Sequence, residues 1–587
     1  MKFNKTSITA GVLLGIMGIL ALLSMKQDAL TFDELAHIPA GYSYLTQQDY
    51  RVNPEHPPLA KDISAFPLLF LNLNFPTESP WWQQEDPPAW WVQFNLGTEF
   101  LYESGNDPRQ IIFWSRVPMI LLLLLCGWML FCWTRKIAGD KAALAALFLF
   151  SFSPTLLAHG RLVTTDVPAA LGAVLAIIAW VSFLKNPTSK NVLLAGFALG
   201  IALLLKFSMI LLIPSLGILT ILHILLSNQW RETAKYVSFS VAAGFVALFL
   251  VIWPVYQFHI WNYPQERQTR DTIADLSPGE ITASEQAAIW MSDKPLLRPI
   301  AQYARGALMA SQRSSFGNTT YFMGEVFSGG KLSYFPTMYL TKIPLALHVL
   351  TLLLLLLALL RFRSMIRNIP LDIWGAVIFI SIYWAVTLSG NLNIGVRHIL
   401  PVLPFTYLLI AWAGNRLFPF FEGMRARILF FGGATLLFSW YAFSSLSAFP
   451  HFISFYNESA GGTRSGHEVA VDSNYDWGQD FYRLLEKVEE HNIEKLRLHY
   501  FGGESPSYWL GEKYLEMNCS DQREEKQRTC KEAQEEGGWI AISLNELKGG
   551  SSKQAPGYDQ DTTYYGWLSA HEPVDQAGTS ILLYEIK

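Results

Sequence analysis

Two adjacent carboxylates, Asp33 and Glu34, follow the first long apolar segment of the chain, and His37 comes three residues later. Carboxylates this close to a bilayer are costly unless they are hydrated, paired or used in a reaction. We therefore predict that Asp33 takes a proton from an acceptor hydroxyl while Glu34 orients a neighbour or a metal ion. The alternative is an ordinary acidic pair at a helix start, where the helix dipole favours negative charge.

A proline-rich segment lies further along the same part of the chain, at residues 53–61. Three prolines in five positions fix the backbone without regular hydrogen bonds. They present Glu55, His56 and Lys61 from a stiff turn, which favours a substrate-binding role for these side chains. The alternative is a rigid connector to the apolar stretch that follows.

Isolated charges interrupt apolar sequence at three other places: Arg161 and Asp166 lie in one short polar stretch, Lys206 stands alone, and Arg397 precedes His398. Cations at these positions would bind a lipid phosphate, or would instead reach the interface as snorkelling side chains. Asp166 would also cap the helix that follows it. Together these groups suit a reaction in which a phosphate leaves and a hydroxyl is deprotonated.

Long apolar runs set the positions of these charges. Of the 587 residues, 51% are hydrophobic and 16% are charged, and the apolar residues occur in blocks long enough to cross a bilayer. The chain is therefore an all-α polytopic membrane protein, which excludes a disordered chain, a secreted disulfide scaffold and a nucleic-acid binder. We predict eleven spans, at about residues 8–25, 111–133, 142–158, 167–184, 191–205, 208–227, 236–255, 337–360, 371–388, 398–415 and 428–449.

The distribution of Lys and Arg predicts the orientation. One set of short loops carries fifteen of them, beginning with Lys2, whereas the short loops on the other side carry only Arg161, Lys206 and Arg397. Positive loops stay in the cytoplasm, so we expect a cytoplasmic N-terminus and a retained first span rather than a cleaved signal peptide. The protein would be a multi-pass plasma (inner) membrane protein, periplasmic at its C-terminus in a Gram-negative cell.

The predicted spans and loops divide the chain into a transmembrane part and a soluble tail. Residues 1–450 form the predicted transmembrane part, with large extracytoplasmic loops at 26–110 and 256–336. Residues 451–587 carry 24 Asp and Glu against 13 Lys and Arg and alternate helix-like with strand-like stretches, which predicts a soluble extracytoplasmic α/β domain. In an oxidising compartment Cys519 and Cys530 would form a disulfide.

These motifs resemble those of the GT-C glycosyltransferases, in the branch of protein O-mannosyltransferases and aminoarabinose transferases. The resemblance covers about residues 8–450. It is carried by the segment Phe32–Glu34, the string Glu55–Leu59, the second-loop stretch Gly160–Pro168 and the turn Leu205–Ser208. The tail string Asp472–Asp480 is similar to one found in bacterial members.

The resemblance implies transfer of a sugar, with inversion, from a polyprenyl-phosphate donor to an extracytoplasmic acceptor that is a protein, a lipid or a glycan. Asp33 would be the base, and His56 or Lys61 would meet the donor phosphate. Asp166 would support the acceptor or, with Glu34, a metal ion. We predict no cofactor, although a divalent metal ion is compatible with the family.

Two other classes of function compete with this prediction. A transporter or flippase of lipid-linked sugars would need ionisable residues near mid-span, whereas the spans here are nearly free of charge. A membrane scaffold that presents the acidic tail would not need Asp33 or Lys206 at their positions.

Overall fold

The computed structural model describes residues 5–84, 90–279, 281–521 and 523–587. Lys2 of the charge count lies outside the described residues. Among the described residues, eight helices are long and apolar enough to cross a membrane: Lys5–Met25, Pro108–Ser151, Asp166–Lys185, Phe207–Ser227, Trp230–His259, Leu371–Ser389, Val396–Phe420 and Gly423–Leu446. Helices Tyr334–Lys342 and Leu345–Leu360 would form a ninth span, bent by 104°, and Ser189–Leu205 is a shorter apolar helix.

Three local features separate this arrangement from the eleven predicted spans: a merged helix, the bent pair and the short helix Ser189–Leu205. Helix Pro108–Ser151 runs through the predicted spans 111–133 and 142–158 and is kinked at Gly139, whose φ of 80° suits glycine because that residue has no Cβ. The bend before Leu345 falls at Pro344, since proline cannot continue a helical hydrogen-bond ladder. The chain is polytopic as predicted, and the count of eleven spans stays a prediction.

Helix Asp166–Lys185 is the most deeply packed of these helices and forms a hairpin with Ser189–Leu205. The two helices approach closely at Gly172, where a Cβ would lie 2.9 Å from the Cα of Ala202. Small residues permit such contact between apolar helices. Because the second helix returns toward the start of the first, Lys206 arrives beside Asp166.

The predicted external loops are mostly helical. The first contains helices Glu34–Gln47, Leu59–Ala65, Phe66–Phe70, Pro80–Gln83, Val92–Thr98 and Glu99–Glu103. The second contains helices Gln265–Leu276, Ala283–Ser292 and Arg298–Phe316, followed by the hairpin strands Thr319–Phe322 and Glu325–Ser328. We call the ends of the apolar helices that meet these segments their outer ends.

The described tail contains a five-stranded mixed sheet. Its strands lie in the order Tyr514–Glu516, Leu496–His499, Gly538–Ser543, Ile581–Ile586 and Asp575–Ala577, and the first three run parallel. Helices Phe481–Glu490, Pro506–Leu510, Glu524–Glu536 and Leu544–Ser551 accompany them. The alternation of helices and strands predicted for residues 451–587 is therefore present.

The tail is also joined to the second external loop. Strand Lys553–Gln554 pairs in parallel with strand Glu325–Ser328, so that a segment of the tail completes a three-stranded sheet begun more than 200 residues earlier. The domain boundary at residue 450 stays a prediction, because contacts of this kind cross it.

The disulfide between Cys519 and Cys530 is present, with the two Cα atoms 5.1 Å apart. It joins the region before helix Glu524–Glu536 to the middle of that helix. Cys126 and Cys132, in helix Pro108–Ser151, carry free thiols as the sequence predicts.

We predict that a thiol-alkylating reagent labels Cys519 and Cys530 only after reduction. A disulfide that closes a loop of this size stabilises the fold by roughly 3 kcal/mol in the chain-entropy model and persists outside the cytoplasm. Peptide mapping after alkylation with and without reductant measures this, and buried Cys126 serves as a thiol that reductant does not change. Labelling of the tail pair without reductant would contradict both the disulfide and the external position of the tail.

Candidate active site

A cavity of about 380 Å³ lies where the external loops meet the outer ends of the apolar helices. Seven of the residues predicted from sequence line it: Asp33, His37, Glu55, His56, Lys206, Arg397 and His398. They come from the first loop, the turn after Ser189–Leu205 and the start of Val396–Phe420. The fold therefore gathers into one site charges that are up to 365 positions apart in the chain.

A larger cavity, of about 760 Å³, lies between the outer ends of helices Lys5–Met25 and Pro108–Ser151 and the tail helix Phe481–Glu490. Its described lining contains none of the site residues predicted from sequence. We therefore take the smaller cavity as the candidate active site, because size alone does not provide chemistry.

Asp33 and Arg397 form an ion pair at the wall of this cavity. Asp33 occupies the N-cap position of helix Glu34–Gln47, but its carboxylate makes no capping bond to the described helix. Instead Oδ2 accepts a hydrogen bond of 2.6 Å from Nη1 of Arg397. The pairing distinguishes Asp33 from an ordinary acidic residue at a helix start.

The electrostatic surroundings of Asp33 keep it ionised. Burial raises the pKa of its carboxyl, but Arg397, His37 in the protonated form that it takes at acid pH, and Arg313 outweigh burial, so that the pKa lies below its ordinary value. The side chain keeps 22% of its surface exposed, toward the cavity. Asp33 is thus a carboxylate that is within reach of a bound molecule and paired with a single strong partner.

Asp166 extends this ion pair into a network. Lys206 Nζ lies 2.5 Å from Asp166 Oδ1, and Arg397 Nη1 lies 3.9 Å from Asp166 Oδ2. Asp166 itself is buried behind the two cations. Positive and negative groups therefore alternate along the wall, in the order Lys206, Asp166, Arg397 and Asp33, which reduces the cost of removing each charge from water.

Glu55 forms the opposite wall together with two residues that sequence reasoning missed. Its Oε1 accepts a hydrogen bond of 2.8 Å from Trp90 Nε1, and its Oε2 lies 3.0 Å from Nη1 of Arg313. Arg313 lies near the end of helix Arg298–Phe316 in the second external loop. Its sequence signal is weak, since it is one of several arginines on an amphipathic helix.

The histidines of the cavity are neutral bases rather than cations. His37 Nδ1 lies 2.9 Å from the carbonyl oxygen of Val163, and since a carbonyl only accepts, Nδ1 carries the proton. The His37 and His56 rings meet edge to face with centroids 5.0 Å apart. Burial lowers the pKa of both residues, and nearby positive groups lower that of His56 further.

Glu34 is not brought to the cavity by the described structure. It is fully buried, its oxygens accept hydrogen bonds from Arg116 at 2.6 and 2.9 Å, and they also accept from the backbone N–H groups of Thr31 and Val163. These bonds fix the start of helix Glu34–Gln47 against helix Pro108–Ser151. Glu34 therefore positions its neighbour Asp33 and does not face a substrate here.

Lys61 is likewise occupied outside the cavity lining. Its ammonium group donates to the side chain of Asn53 at 2.8 Å, to the hydroxyl of Tyr44 at 2.9 Å and to the carbonyl of His56 at 3.0 Å. Burial lowers the pKa of Lys61 well below its ordinary value. These contacts brace the proline-rich turn and hold Lys61 outside the described lining of the cavity.

Arg161 also lies outside the cavity lining, as do Glu34, Lys61 and Asp166. It is fully buried and pairs with Asp28 at 2.7 Å. Arg483 of the tail lies 3.1 Å from the same carboxylate. The partners of a charged residue in a short loop depend on segments far away in sequence, which is why the local pattern did not identify this role.

No group of three or more His, Cys, Asp or Glu side chains converges as a metal site anywhere in the described ranges. The divalent metal ion stays a prediction taken from the resemblance.

Part of the chain is similar to a known protein family. Residues 110–256, about a quarter of the chain, match the family model described as dolichyl-phosphate-mannose-protein mannosyltransferase. The matched segment contains Arg161, Asp166 and Lys206. No curated protein sequence is similar to this chain at a significant level.

Two solved structures have a similar fold. The S. cerevisiae protein O-mannosyltransferase Pmt1-Pmt2 complex bound to the sugar donor aligns with a TM-score of 0.51 at 11% identity, over 77% of this chain and 90% of that chain. ArnT from Cupriavidus metallidurans bound to undecaprenyl phosphate aligns with a TM-score of 0.48 at 11% identity, over 99% and 98%. The family match over residues 110–256 confirms the predicted resemblance to the protein O-mannosyltransferases.

We predict that Arg116→Met strongly destabilises the protein, because it leaves the Glu34 carboxylate buried and unpaired. Breaking one partner of a buried ion pair typically costs about 3–5 kcal/mol. The midpoint of thermal unfolding in detergent measures the loss, and the double variant Arg116→Met with Glu34→Leu should recover much of it.

The matched control is Arg135→Met, at the other end of the same helix. Arg135 pairs with Asp140 at 2.6 Å, but both side chains are more than one third exposed. Exposed pairs contribute about 0–1 kcal/mol, so this variant should unfold near the parent temperature. Equal midpoints for the two variants would contradict the structural role of Glu34.

Proposed function

We propose that this protein is a membrane glycosyltransferase that moves a sugar from a polyprenyl-phosphate donor to an extracytoplasmic acceptor with inversion, using Asp33 as the general base. One observation carries the proposal: two carboxylates, Asp33 and Glu55, and three cations, Lys206, Arg313 and Arg397, line a single cavity at the outer ends of apolar helices. The donor, the base and the acceptor would meet there.

The cations suit the donor phosphate. Charge-assisted hydrogen bonds from Lys and Arg are roughly twice as strong as neutral ones, and they stabilise the negative charge that grows on a leaving phosphate. The apolar side of the cavity is built by Ile210, Leu211 and Val386, which belong to membrane helices. The polyprenyl chain would lie along these residues while its phosphate meets the cations.

Asp33 would then remove the acceptor proton. The hydroxyl oxygen forms a bond to the anomeric carbon as its proton passes to Asp33, and the bond from that carbon to the phosphate oxygen breaks with the electron pair leaving on the phosphate. Attack opposite to the leaving group inverts the anomeric centre. The similar S. cerevisiae complex is bound to its sugar donor, in agreement with this class of substrate.

Arg397 would couple donor binding to the base. It pairs with Asp33 and lines the same cavity as Lys206. A donor phosphate that attracts the guanidinium weakens its hold on Asp33, and the pKa of that carboxyl rises toward its ordinary value. The base would therefore gain strength when the donor is bound.

The second candidate is a transporter of lipid-linked sugars, and one observation favours it. The bent pair Tyr334–Lys342 and Leu345–Leu360 interrupts a membrane helix, as in many transporters. Lys342 lies buried at that bend, but it donates to the carbonyls of Ile453 and Asn474 at 2.7 and 2.6 Å, outside the cavity lining. Movement of a labelled polyprenyl-phosphate sugar across proteoliposomes without transfer would favour transport.

We predict that Asp33→Asn lowers turnover by roughly 10²–10⁴, the usual contribution of a general base, while donor affinity stays within a few-fold of the parent. Transfer from a labelled polyprenyl-phosphate sugar in reconstituted vesicles measures turnover. Asp107→Asn is the control, since this exposed residue of the same loop caps helix Pro108–Ser151 and Asn caps equally well. Turnover of Asp33→Asn near the parent rate would exclude Asp33 as the base.

We predict that Lys206→Gln and Arg397→Gln each raise the donor KM by roughly tenfold to a hundredfold, and leave the acceptor KM near that of the parent. A hydrogen bond to a charged group is worth about 1.5–3 kcal/mol. The control is Arg109→Gln, an exposed cation beside the larger cavity. Parent-like donor KM in both variants would move the phosphate site to Arg313.

A further inference from the structure

The tail string Asp472–Asp480, to which the reaction above assigns no role, passes directly behind the wall formed by Asp33 and Arg397. It contains three aspartates in nine residues, yet eight of the nine residues are buried. Burial of so many polar groups is costly unless each has a partner. The carboxylates of Asp476 and Asp480 have their partners within the tail, whereas other members of the string are hydrogen-bonded to the membrane part of the protein.

Trp477, at the centre of this string, lies against Arg397. The guanidinium carbon of Arg397 is 4.4 Å from the centroid of the indole ring, and Trp477 is 1% exposed. The ring of His159, at 5.9 Å, also contacts the indole. A desolvated cation over tryptophan is among the stronger cation–π contacts, so the indole fixes the plane of the guanidinium that reaches Asp33.

The string is hydrogen-bonded to the residue that precedes each member of the ion pair. The N–H of Phe32, next to Asp33, donates to the carbonyl of Trp477 at 3.2 Å. The N–H of Val396, next to Arg397, donates to Oδ1 of Asn474 at 2.8 Å. One rigid segment therefore spaces two residues that are 364 positions apart.

Two further contacts hold this spacing. The N–H of Ala29 donates to the carbonyl of Gln479 at 2.9 Å. Ser473 donates to the carbonyl of Ile394 at 2.7 Å and lies so close to Gly395 that a Cβ there would be 2.2 Å from its hydroxyl oxygen. The chain just before Arg397 is thus fitted closely to the tail.

We infer that Asp472–Asp480 is a positioning element of the active site, in which Trp477 holds Arg397 in register with Asp33. The inference rests on the proposed function for its catalytic meaning, but the contact between Trp477 and Arg397 is testable without it. The tail would then complete the site rather than form a separate module that only recruits an acceptor.

The pH dependence of the reaction reports this role. The charged or titratable groups that act on Asp33 are Arg397, Arg313 and His37, together with Asp472 of the string. Arg397 is the largest of the favourable influences on the Asp33 carboxylate. If Arg397 is held less firmly, it stabilises the Asp33 carboxylate less. The pKa of Asp33 then rises, and the acid limb of the turnover profile moves to higher pH.

The test compares Trp477→Leu and Trp477→Phe with the parent in reconstituted vesicles, using the full chain. We expect Trp477→Leu to lower kcat roughly tenfold and to move the acid limb to higher pH, and Trp477→Phe to restore much of both. The control is Trp539→Leu, a tail residue on strand Gly538–Ser543 whose ring packs on His491. It should leave the acid limb unmoved even if it lowers the yield of folded protein.

A double-mutant cycle of Trp477→Leu and Arg397→Gln supplies a measurement that needs no substrate. If Trp477 holds Arg397, the shifts in thermal midpoint are not additive, because the second substitution removes a contact already lost. Additive shifts, or parent-like kcat and acid limb in Trp477→Leu, would overturn the inference while transfer by the parent stands. Absence of transfer by the parent would instead refute the proposed function, and the cycle alone would then decide whether Trp477 positions Arg397.

Discussion

The buried ion pair of Arg116 and Glu34 is the interaction on which the arrangement of the first external loop depends. Besides Glu34, the guanidinium of Arg116 donates to the carbonyl oxygens of Asp28 and Ala29, both at 2.7 Å. A buried cation is tolerated only when acceptors surround it. Here those acceptors are the chain that leaves helix Lys5–Met25 and the first residue of helix Glu34–Gln47. The turn between these two helices is therefore rigid, and Asp33 lies at its end.

The cavity wall that begins at Asp33 consists of negative and positive side chains in alternation. Asp166 lies between Lys206 and Arg397, and Arg397 lies between Asp166 and Asp33. Such a wall is nearly neutral as a whole, so it can be buried at the edge of a bilayer. A molecule that brings negative charge to it competes for cations that are already engaged. The same pairing that makes the wall stable thus makes it responsive to an anion.

Most residues of this wall could be predicted from the sequence, because a bundle of membrane helices leaves few positions for a charged side chain. A charge in a short turn, such as Lys206, has to lie at a helix end, and all short turns of one side lie at a similar depth. The roles of Glu34 and Lys61 were not accessible in this way, since each depends on partners that only the tertiary fold supplies. Arg313 and Trp477 were missed for a related reason: each enters the site from a segment with no local signal of chemistry. The single kink at Gly139 and the bend at Pro344 likewise changed how predicted spans divide into helices.

The parallel pairing of Lys553–Gln554 with Glu325–Ser328 has a consequence for the biogenesis of the protein. The strand that pairs with this hairpin of the second external loop follows every described apolar helix in the sequence, so it is synthesised after them. The helices enter the bilayer earlier, in order, with polar groups of the outer loops still in contact with water. Closure of the outer face is therefore a late, post-insertional step, and a ribosome-bound chain that has inserted every apolar helix is still structurally incomplete.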